Sequence, residues 1–500
     1  MGTIISGKIN KFDGGMVNTI RGSRTDVAST IQHFDVFKDP NKMIPFRGNI
    51  ADGSTGDTEK LVQFQMGSDD KQYALGVVSG SSKVKVFERT PPTGIWGAST
   101  TGEDSAGLRS ETAFINYKDV LYGFAQGNRV WSYAYLTNTF TATAKSLAST
   151  YTLENVAQGV VHTKDDILYM AYENFIISKD GGGAFTDPAL TLPSDQIITS
   201  ICEYGNYLAI AAKSRILGGN SVVYLWNRDD SLTTLSEKID WGTGSIEIIQ
   251  ELEGALIGVS TSTASTVVFT PSIIFRSYIG VGAIRFAEFP MSSNTNIFAG
   301  IQRADNRILF GLSLPYNSVN LDGIWSIGKS VGGGFGVSLD TLITSTPATL
   351  ANRIKGFQLL GDYMTIAYLD DDADGDPYKI VRTGTTENFN SIYETTINQA
   401  MKELRDSSIV KKLIGVTIHH EFLPSGASAT VKIRKNEETT YGTTVITSDT
   451  DDDISKDAIL DSTGANLPEF KELQFQVSST GGAVITGLSF KVEEVDRKRY

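Results

Sequence analysis

One arrangement of apolar and polar segments recurs seven times along the 500-residue chain. Each copy consists of an apolar strand, a tight polar turn, a second apolar strand and further strands that end in aromatic residues. Turns such as NYKDVLY and EYGNYLA place Asp, Asn or Gly between the apolar stretches, and these residues suit short hairpins because they tolerate left-handed backbone. The copies start near Leu61, Thr112, Ala157, Ile198, Ile246, Ile297 and Ile354.

The spacing of the copies, roughly 40–60 residues, is close to the length of a four-stranded propeller blade. A single blade cannot bury both of its faces, whereas blades stacked in a ring cover each other and leave few free edges. The repeat therefore predicts an all-β protein built on a seven-bladed β-propeller. The number of blades stays open by one, because a strand from the N-terminal segment could complete a blade.

The segments on either side of the repeat have a different character. After Thr383 come alternating strands separated by turns such as LPSGAS and STGGA, which are typical of a β-sandwich. The N-terminal segment has little repeat character and is interpreted as an extended arm that crosses the ring, closes the propeller or reaches a neighbouring subunit. The predicted domains are an N-terminal arm at residues 1–55, a β-propeller at 56–390 and a C-terminal β-sandwich at 391–500.

Charge limits the classes of partner. The formal net charge is −13, and an acidic surface repels phosphate backbones, so reading of nucleic acid is not expected. No segment approaches 18 uninterrupted apolar residues, so no membrane span is expected either. The first 50 residues carry more Lys and Arg than Asp. This basic arm either docks on an acidic neighbouring subunit or simply exposes solvated side chains.

The stretch ISKDGGGAFTD, residues 177–187, has the pattern S-x-D-x-G-x-x-F. This spacing resembles the Asp-box, a hairpin motif best known from sialidases and other β-propellers. We expect the Asp to accept backbone N–H bonds, the Gly to supply a positive φ and the aromatic ring to anchor the turn. A structural hairpin is therefore favoured over a functional site for Ser178, Asp180, Gly182 and Phe185.

The acidic stretch DDDADGDPY gives the clearest metal-site pattern in the chain. Asp370, Asp372 and Asp374, followed by a glycine, fit the first half of an EF-hand-like loop, and Asp376 adds a further carboxylate. The bidentate Glu that usually closes such a loop is replaced by Val381. The alternatives are a calcium loop, with calcium as the one cofactor considered, and a solvated acidic hairpin.

Catalytic motifs are scarce. The four histidines are His33, His162, His419 and His420, and the chain has no G-x-S-x-G, C-x-x-C, H-E-x-x-H or Walker sequence. The arginine-bearing F/Y-R-I-P segment that accompanies Asp-boxes in sialidases is also missing. We therefore predict that the protein is not an enzyme and has no catalytic residues.

Both ends of the chain carry a second resemblance. The segment FDGGMVNTIRGS…HFDVFKDPNKMIPFRG resembles the opening of tailed-bacteriophage structural proteins, and LIGVTIHHEFLPSGASATVKIRK is similar to β-sandwich domains of such virion proteins. Phage tail tubular, or nozzle, proteins also combine a propeller with accessory β-domains. The resemblance covers about 150 residues and implies a non-enzymatic structural subunit of the virion, assembled in the host cytoplasm.

That resemblance implies a multicopy component of the tail or of the head–tail connection, whose partners are other virion proteins and copies of itself. The first alternative is a carbohydrate-binding or sialidase-like glycan-cleaving propeller used in host recognition. Its marker is an aromatic-lined pocket with converging Arg and Glu at one mouth of the ring. The second alternative is a cellular scaffold for protein partners.

Overall fold

A computed structural model gives the fold of the chain. It describes residues 3–12, 15–16, 28–52, 60–77, 84–91, 94–104, 114–125, 128–148, 156–216, 219–229, 235–262, 271–291, 297–304, 306–316, 319–330, 334–343, 352–370, 378–402, 404, 408–436, 438–450, 454–459 and 469–495. These residues are mostly β-strand, so the all-β prediction is confirmed. Their one α-helix, α1 (Ile397–Met401), begins after Thr396, whose hydroxyl accepts from the Gln399 amide.

Five short strands precede the repeat. They are β1 (Ile4–Ile9), β2 (Ala28–Gln32), β3 (Phe34–Asp35), β4 (Ile44–Pro45) and β5 (Arg47–Ala51). β3 and β4 pair with each other, and the other three strands pair with segments far along the chain.

Seven units of four antiparallel strands follow, which we number unit 1 to unit 7. Unit 1 contains β6 (Lys60–Met66), β7 (Gln72–Val77), β8 (Val84–Arg89) and β9 (Gly97–Asp104). Unit 2 contains β10 (Phe114–Tyr117), β11 (Val120–Ala125), β12 (Arg129–Ala134) and β13 (Thr139–Ser146). Unit 3 contains β14 (Val156–His162), β15 (Ile167–Tyr172), β16 (Phe175–Lys179) and β17 (Phe185–Thr191). Unit 4 contains β18 (Gln196–Tyr204), β19 (Tyr207–Ser214), β20 (Asn220–Trp226) and β21 (Glu237–Thr243).

The last three units follow the same plan. Unit 5 contains β22 (Ser245–Leu252), β23 (Ala255–Ser262), β24 (Ser272–Tyr278) and β25 (Ala283–Pro290). Unit 6 contains β26 (Ile297–Ala304), β27 (Arg307–Ser313), β30 (Gly323–Lys329) and β31 (Phe335–Leu342), with the small hairpin of β28 (Pro315–Tyr316) and β29 (Val319–Asn320) between its second and third strands. Unit 7 contains β32 (Asn352–Leu360), β33 (Tyr363–Asp370), β34 (Tyr378–Asn388) and, as its fourth strand, β5.

Local sequence explains the turns and the buried strands of these units. Lys118 and Asp119 have φ of 49° and 64°, and Glu253 and Gly254 have φ of 48° and 80°, as two-residue hairpins with matching twist require. The second strand of a unit is buried on both faces, as in β23, where seven successive residues are buried. A strand covered on both sides needs a packed neighbour on each face.

Neighbouring units supply that packing. The first strands contact one another in the order β6, β10, β14, β18, β22, β26 and β32, and β32 in turn contacts β6. Six distinct clusters of buried apolar side chains fill the contacts between neighbouring units, and a seventh, larger cluster joins units 5 and 6 to both ends of the chain. The series of units therefore returns to its starting point.

The N-terminal segment takes part in this closure. Ala51, Ile50 and Asn49 of β5 pair with Val381, Arg382 and Thr383 of β34. Of the three roles considered for the arm, the structure shows the one in which a strand from it completes the last unit.

The C-terminal region contains two sheets. Its strands are β35 (Ser391–Thr395), β36 (Lys411–His420), β37 (Ser428–Lys435), β38 (Thr443–Ser448), β39 (Ser455–Ile459), β40 (Glu469–Phe470), β41 (Leu473–Thr480) and β42 (Ile485–Glu494). One sheet continues the four strands of unit 6 through β2 into β35, β41, β37 and β38. The other runs β1, β42, β36 and β39, with β40 also paired to β36.

The two C-terminal sheets bury side chains in one common cluster. Phe475 of β41 and Phe490 of β42, one from each sheet, have ring centroids 4.9 Å apart. β1 and β2 thus belong to the C-terminal sheets, while β5 belongs to unit 7, so the three predicted segments exchange strands.

Candidate functional site

The Asp-box lies in the turn between β16 and β17 of unit 3. The Asp180 carboxylate accepts a hydrogen bond from the Gly183 amide, and Lys179 Nζ donates to the Gly183 carbonyl at 2.8 Å. Ser178 lies on β16 opposite Thr186. These contacts hold the hairpin together.

Phe185 connects this hairpin to the neighbouring unit. Its ring packs edge-to-face on Tyr122 of unit 2, with the centroids 5.8 Å apart. The positive φ expected at Gly182 is wrong, since the φ of this residue is outside the left-handed region and a Cβ there would meet nothing within 4 Å. The glycine that the turn requires is Gly183, because a Cβ at that position would clash with Asp180 Oδ1.

The predicted calcium loop is only partly within the described residues. Asp370 ends β33, and its Oδ2 lies 2.8 Å from Nζ of Lys379 on β34. Asp372, Asp374 and Asp376 lie outside the described residues. Among the residues that are described, no cluster of three His, Cys, Asp or Glu could hold a metal. Calcium therefore stays a prediction.

The histidines contact four different parts of the molecule. His419 and His420 on β36 bond Ser489 at 2.9 Å and Ser448 at 2.8 Å. His162 is buried beside Arg228, and burial, followed by the charge of Arg228, lowers its pKa. His33 joins the N-terminal segment to unit 6.

The surroundings of His33 fix its protonation. The Leu342 amide donates to Nε2 at 3.1 Å, so the proton of the neutral ring is on Nδ1, which donates to the Asn390 carbonyl at 3.2 Å. The ring also stacks on Phe389 at 3.9 Å. Burial lowers the pKa of His33 to about 4, against a smaller opposing effect of the Asn390 bond.

A buried ionic network lies at the contact between unit 1 and unit 7, which we call the closure seam. Asp52, directly after β5, is 2.5 Å from Arg89 of unit 1 and 3.3 Å from Arg382 of unit 7. The Arg89 and Asp52 side chains are 1% and 3% exposed. Burial lowers the pKa of Arg89, and the neighbouring Asp52 charge opposes this effect.

Further hydrogen bonds surround the same guanidinium. Arg89 donates from Nε to Gln72 at 2.7 Å and from Nη2 to Thr365 at 2.8 Å. Gln72 in turn donates to Gln358 of unit 7 at 2.8 Å, and the guanidinium lies 4.3 Å from the Trp96 ring centroid. Arg89 therefore has partners on most of its donors, and it is unavailable to a ligand.

A second buried ionic cluster joins the N-terminal segment to unit 6. Arg307 Nη1 lies 3.1 Å from Asp35 and 3.2 Å from Asp340, both ion-pair distances without an aligned hydrogen bond. Ser326 donates to Asp340 at 2.6 Å. Burial raises the pKa of Asp340 to about 7 in spite of Arg307.

The turns between the first and second strands of the units lie on one face of the molecule and are tied to each other. Side chains in or beside these turns link successive units in the pairs Ser68–Asp119, Lys118–Asp166, Thr163–Glu203, Tyr204–Gly254, Arg303–Glu251, Gln302–Leu359 and Gln358–Gln72.

A groove of about 700 Å³ opens on this face beside the turns of units 4 and 5. Its lining includes Glu203, Tyr204, Tyr207, Gln250, Glu251 and Arg303. Thr163 of unit 3 also lines the groove, so the lining comes from four successive units and exists only because the units are packed side by side.

Both carboxylates of the groove are held in place. Glu203 accepts from the Thr163 amide at 3.2 Å and from its hydroxyl. Glu251 accepts from the Gly254 amide at 2.6 Å and pairs through its other oxygen with Arg303. The Arg303 side chain is 47% exposed, in contrast to the arginine of the closure seam.

No sequence motif predicts this groove. EYGNY and ELEGA are typical of structural hairpins, and the one local indication of a site is the aromatic or acidic side chain that each carries in or beside its turn. Local sequence does not show that the turns of units 4 and 5 face each other.

No protein-family model and no curated protein matches the sequence. Solved structures match at low identity. BamB from Moraxella catarrhalis matches with 11% identity and a TM-score of 0.38, over 76% of this chain and 100% of that chain. The β-propeller domain of the Trilobed protease from Pyrococcus furiosus matches with 7% identity and a TM-score of 0.41, over 66% of this chain and 97% of that chain.

Virginiamycin B lyase from Staphylococcus aureus matches with 9% identity and a TM-score of 0.41, over 67% of this chain and 99% of that chain. The matches thus include an enzyme. At this level they do not bear on whether this chain catalyses a reaction. No helix within the described ranges has the length and apolar character to cross a membrane.

Proposed function

We propose that units 1 to 7 form a closed seven-bladed β-propeller and that the two C-terminal sheets form a β-sandwich. The support is the series of first-strand contacts that ends with β32 against β6, together with the buried apolar cluster at each contact between units. The proposed domains keep the boundaries 1–55, 56–390 and 391–500. Strands β1 and β2 of the first segment belong to the sheets of the proposed sandwich, and β5 belongs to the proposed propeller.

We further propose that the protein is a non-enzymatic structural subunit of a phage particle, present in several copies in the tail or in the head–tail connection. The observation that carries this proposal is the nine-stranded sheet, which runs from unit 6 through β2 to β38. A hydrogen-bonded sheet connects the proposed ring to the proposed sandwich through β2, and a body joined in this way can repeat identical contacts in a symmetric assembly. The phage setting itself rests on the resemblance of the two chain ends.

The proposed partners are other virion proteins and copies of the same chain, and the proposed location is the virion. Mass spectrometry of purified particles tests this directly, because a structural subunit is recovered in a fixed ratio to other virion proteins. Light scattering of the isolated protein across a concentration series tests self-association. A protein absent from particles and monomeric at all concentrations would contradict the proposal and favour the cellular scaffold.

One turn offers a variant for the self-association measurement. Ile279, Val281 and Ile284 are exposed together beside the turn between β24 and β25, and clustered exposed apolar side chains favour protein contacts. Val281→Asp is expected to weaken self-association. Leu136→Asp is the matched control, since Leu136 is a lone exposed apolar residue in the corresponding turn of unit 2.

The groove favours carbohydrate binding as a second candidate function. Its Tyr, Glu and Arg side chains on one face of the proposed ring correspond to the aromatic-lined pocket with converging Arg and Glu that marks this alternative. Ligand pockets combine aromatic walls with a few placed polar groups. Binding alone is proposed here, and titration with soluble oligosaccharides tests it.

A further inference from the structure

We propose that the groove beside the turns of units 4 and 5 binds a neutral saccharide. In this arrangement Tyr207 provides the stacking face, Gln250 and Arg303 donate hydrogen bonds, and Glu203 and Glu251 accept them. The inference rests on the carbohydrate-binding candidate above and adds the ligand class and the role of each residue.

The composition of the groove wall limits the ligand chemistry. The part of the wall that the structure describes contains Tyr, Glu, Gln, Asn, Arg, Thr and Gly, and no Ala, Val, Leu, Ile or Met. The apolar surface of the wall therefore comes from the Tyr rings and from the carbon chains of polar residues. A sugar ring has C–H groups that pack on an aromatic face and hydroxyls that bond amides and carboxylates, so it matches this composition.

Two groups in the groove have capacity for a ligand. Within the described residues, neither the Gln250 amide nor the Tyr207 hydroxyl has a hydrogen bond to the rest of the protein, and both side chains are accessible. Tyr207 is 37% exposed. An aromatic ring fixed at the start of β19 and left open to solvent is a ready stacking surface.

The acceptors are pre-organised. Glu203 is held by Thr163, and Glu251 by Gly254 and Arg303, so neither carboxylate must be ordered when a ligand binds. Pre-organisation of polar groups reduces the cost of binding. Arg303 uses Nη1 on Glu251, and its remaining N–H groups can point at a hydroxyl.

Charge favours a neutral sugar over an acidic one. Two carboxylates face one guanidinium in the groove, and that guanidinium is already paired with Glu251. The whole chain carries a net charge of −13. A carboxylate on the ligand would meet repulsion from both the groove and the body of the protein.

The test is calorimetric titration of the full chain with lactose, maltotriose and the N-acetylglucosamine trimer, and with 3′-sialyllactose. Sialyllactose contains lactose and adds one acidic sugar, and the neutral trisaccharides in the set control for its larger size. We expect at least one neutral sugar to bind and sialyllactose to bind more weakly than lactose. Tyr207→Ala is expected to weaken binding of that sugar at least ~10-fold, and Gln250→Ala about 5-fold.

Two further variants separate stacking from folding. Tyr207→Phe keeps the ring and is expected to retain most of the binding. Tyr363→Ala is the matched control, because Tyr363 follows the Gly361–Asp362 turn of unit 7 as Tyr207 follows Gly205–Asn206, and it does not line the groove. Its binding is expected to equal that of the unmodified protein.

The outcomes distinguish the inference from the function on which it rests. If sialyllactose binds more tightly than every neutral sugar, carbohydrate binding stands and the neutral class is wrong. If a neutral sugar binds equally well to Tyr207→Ala, the site is wrong. If none of the four sugars binds, both the inference and the carbohydrate-binding candidate fail.

Discussion

The closure seam and the groove contain the same kind of ion pair in opposite surroundings. In each, an arginine of one unit meets a carboxylate that lies outside that unit, Arg89 with Asp52 and Arg303 with Glu251. The first pair is almost fully buried, and Gln72 and Thr365 accept further hydrogen bonds from its arginine. The second pair lies at the surface. Burial, and not residue type, distinguishes the pair between units 1 and 7 from the solvent-accessible pair at the groove.

The largest expected effect comes from breaking the buried pair. Arg89→Met removes the nearest charged partner of the buried Asp52 carboxylate, which keeps the longer contacts to Arg382 and to the Trp96 indole N–H, so we expect a loss of about 3–5 kcal/mol in the free energy of unfolding. Arg303→Met is the matched variant at the surface and should change that free energy by less than about 1 kcal/mol. Urea unfolding of both proteins measures the difference. Equal losses of unfolding free energy in the two variants would contradict the stated difference between the buried and the surface ion pair.

The buried His33 makes the free energy of unfolding depend on pH. Its pKa in the folded protein is about 4, below the ordinary value of 6.5, so the neutral ring contributes stability that is complete above pH 6.5 and is lost as pH falls towards 4. The size of this loss is about 3 kcal/mol. Asp340 acts in the opposite direction, because its raised pKa of about 7 makes the folded state gain stability as pH falls below 7.

The His33 contribution must therefore be isolated by a variant. His33→Asn suits the left-handed backbone of this residue, which has a φ of 61°. We expect the stability difference between the unmodified protein and His33→Asn to shrink between pH 6.5 and pH 4. A difference that is constant across this range would mean that His33 does not titrate there.

The Asp-box gives the smallest effect. Asp180→Ala removes an exposed side-chain acceptor from the Gly183 amide, so we expect a loss of about 1 kcal/mol in the free energy of unfolding. Thermal unfolding measures this loss, and the sugar titration above is expected to be unchanged. A loss of sugar binding in this variant would show that the hairpin has a functional role after all.

Much of the architecture could be predicted from the repeat, because each unit is made of consecutive strands joined by short turns. Six of the seven predicted starting residues lie inside the first strand of a unit, and the seventh, Thr112, precedes β10 by two residues. Local periodicity carries this information. The sequence leaves open whether a strand of the N-terminal segment completes a unit, because RGNIA has too few apolar residues to identify β34 as its partner.

Pairings between distant segments could not be predicted in the same way. β1 lies beside β42 at the other end of the chain, and no local pattern specifies such a partner. The groove has the same origin, since Glu203, Glu251 and Arg303 come from three units. The Asp-box turn was placed by its motif, yet the backbone expected at Gly182 was wrong, because the motif specifies residue types and not each φ.

The pairing of β5 with β34 has a consequence for the order of events during translation. The ribosome releases Arg47–Ala51 early, but the strand against which it docks emerges only after the first six units have been made. Until then the fourth position of unit 7 stays empty, and Asp52 lacks Arg382, although Arg89 has already been made. Completion of unit 7 is therefore a late event of biosynthesis, and a nascent chain stalled before residue 378 would expose an unpaired strand edge to its neighbours.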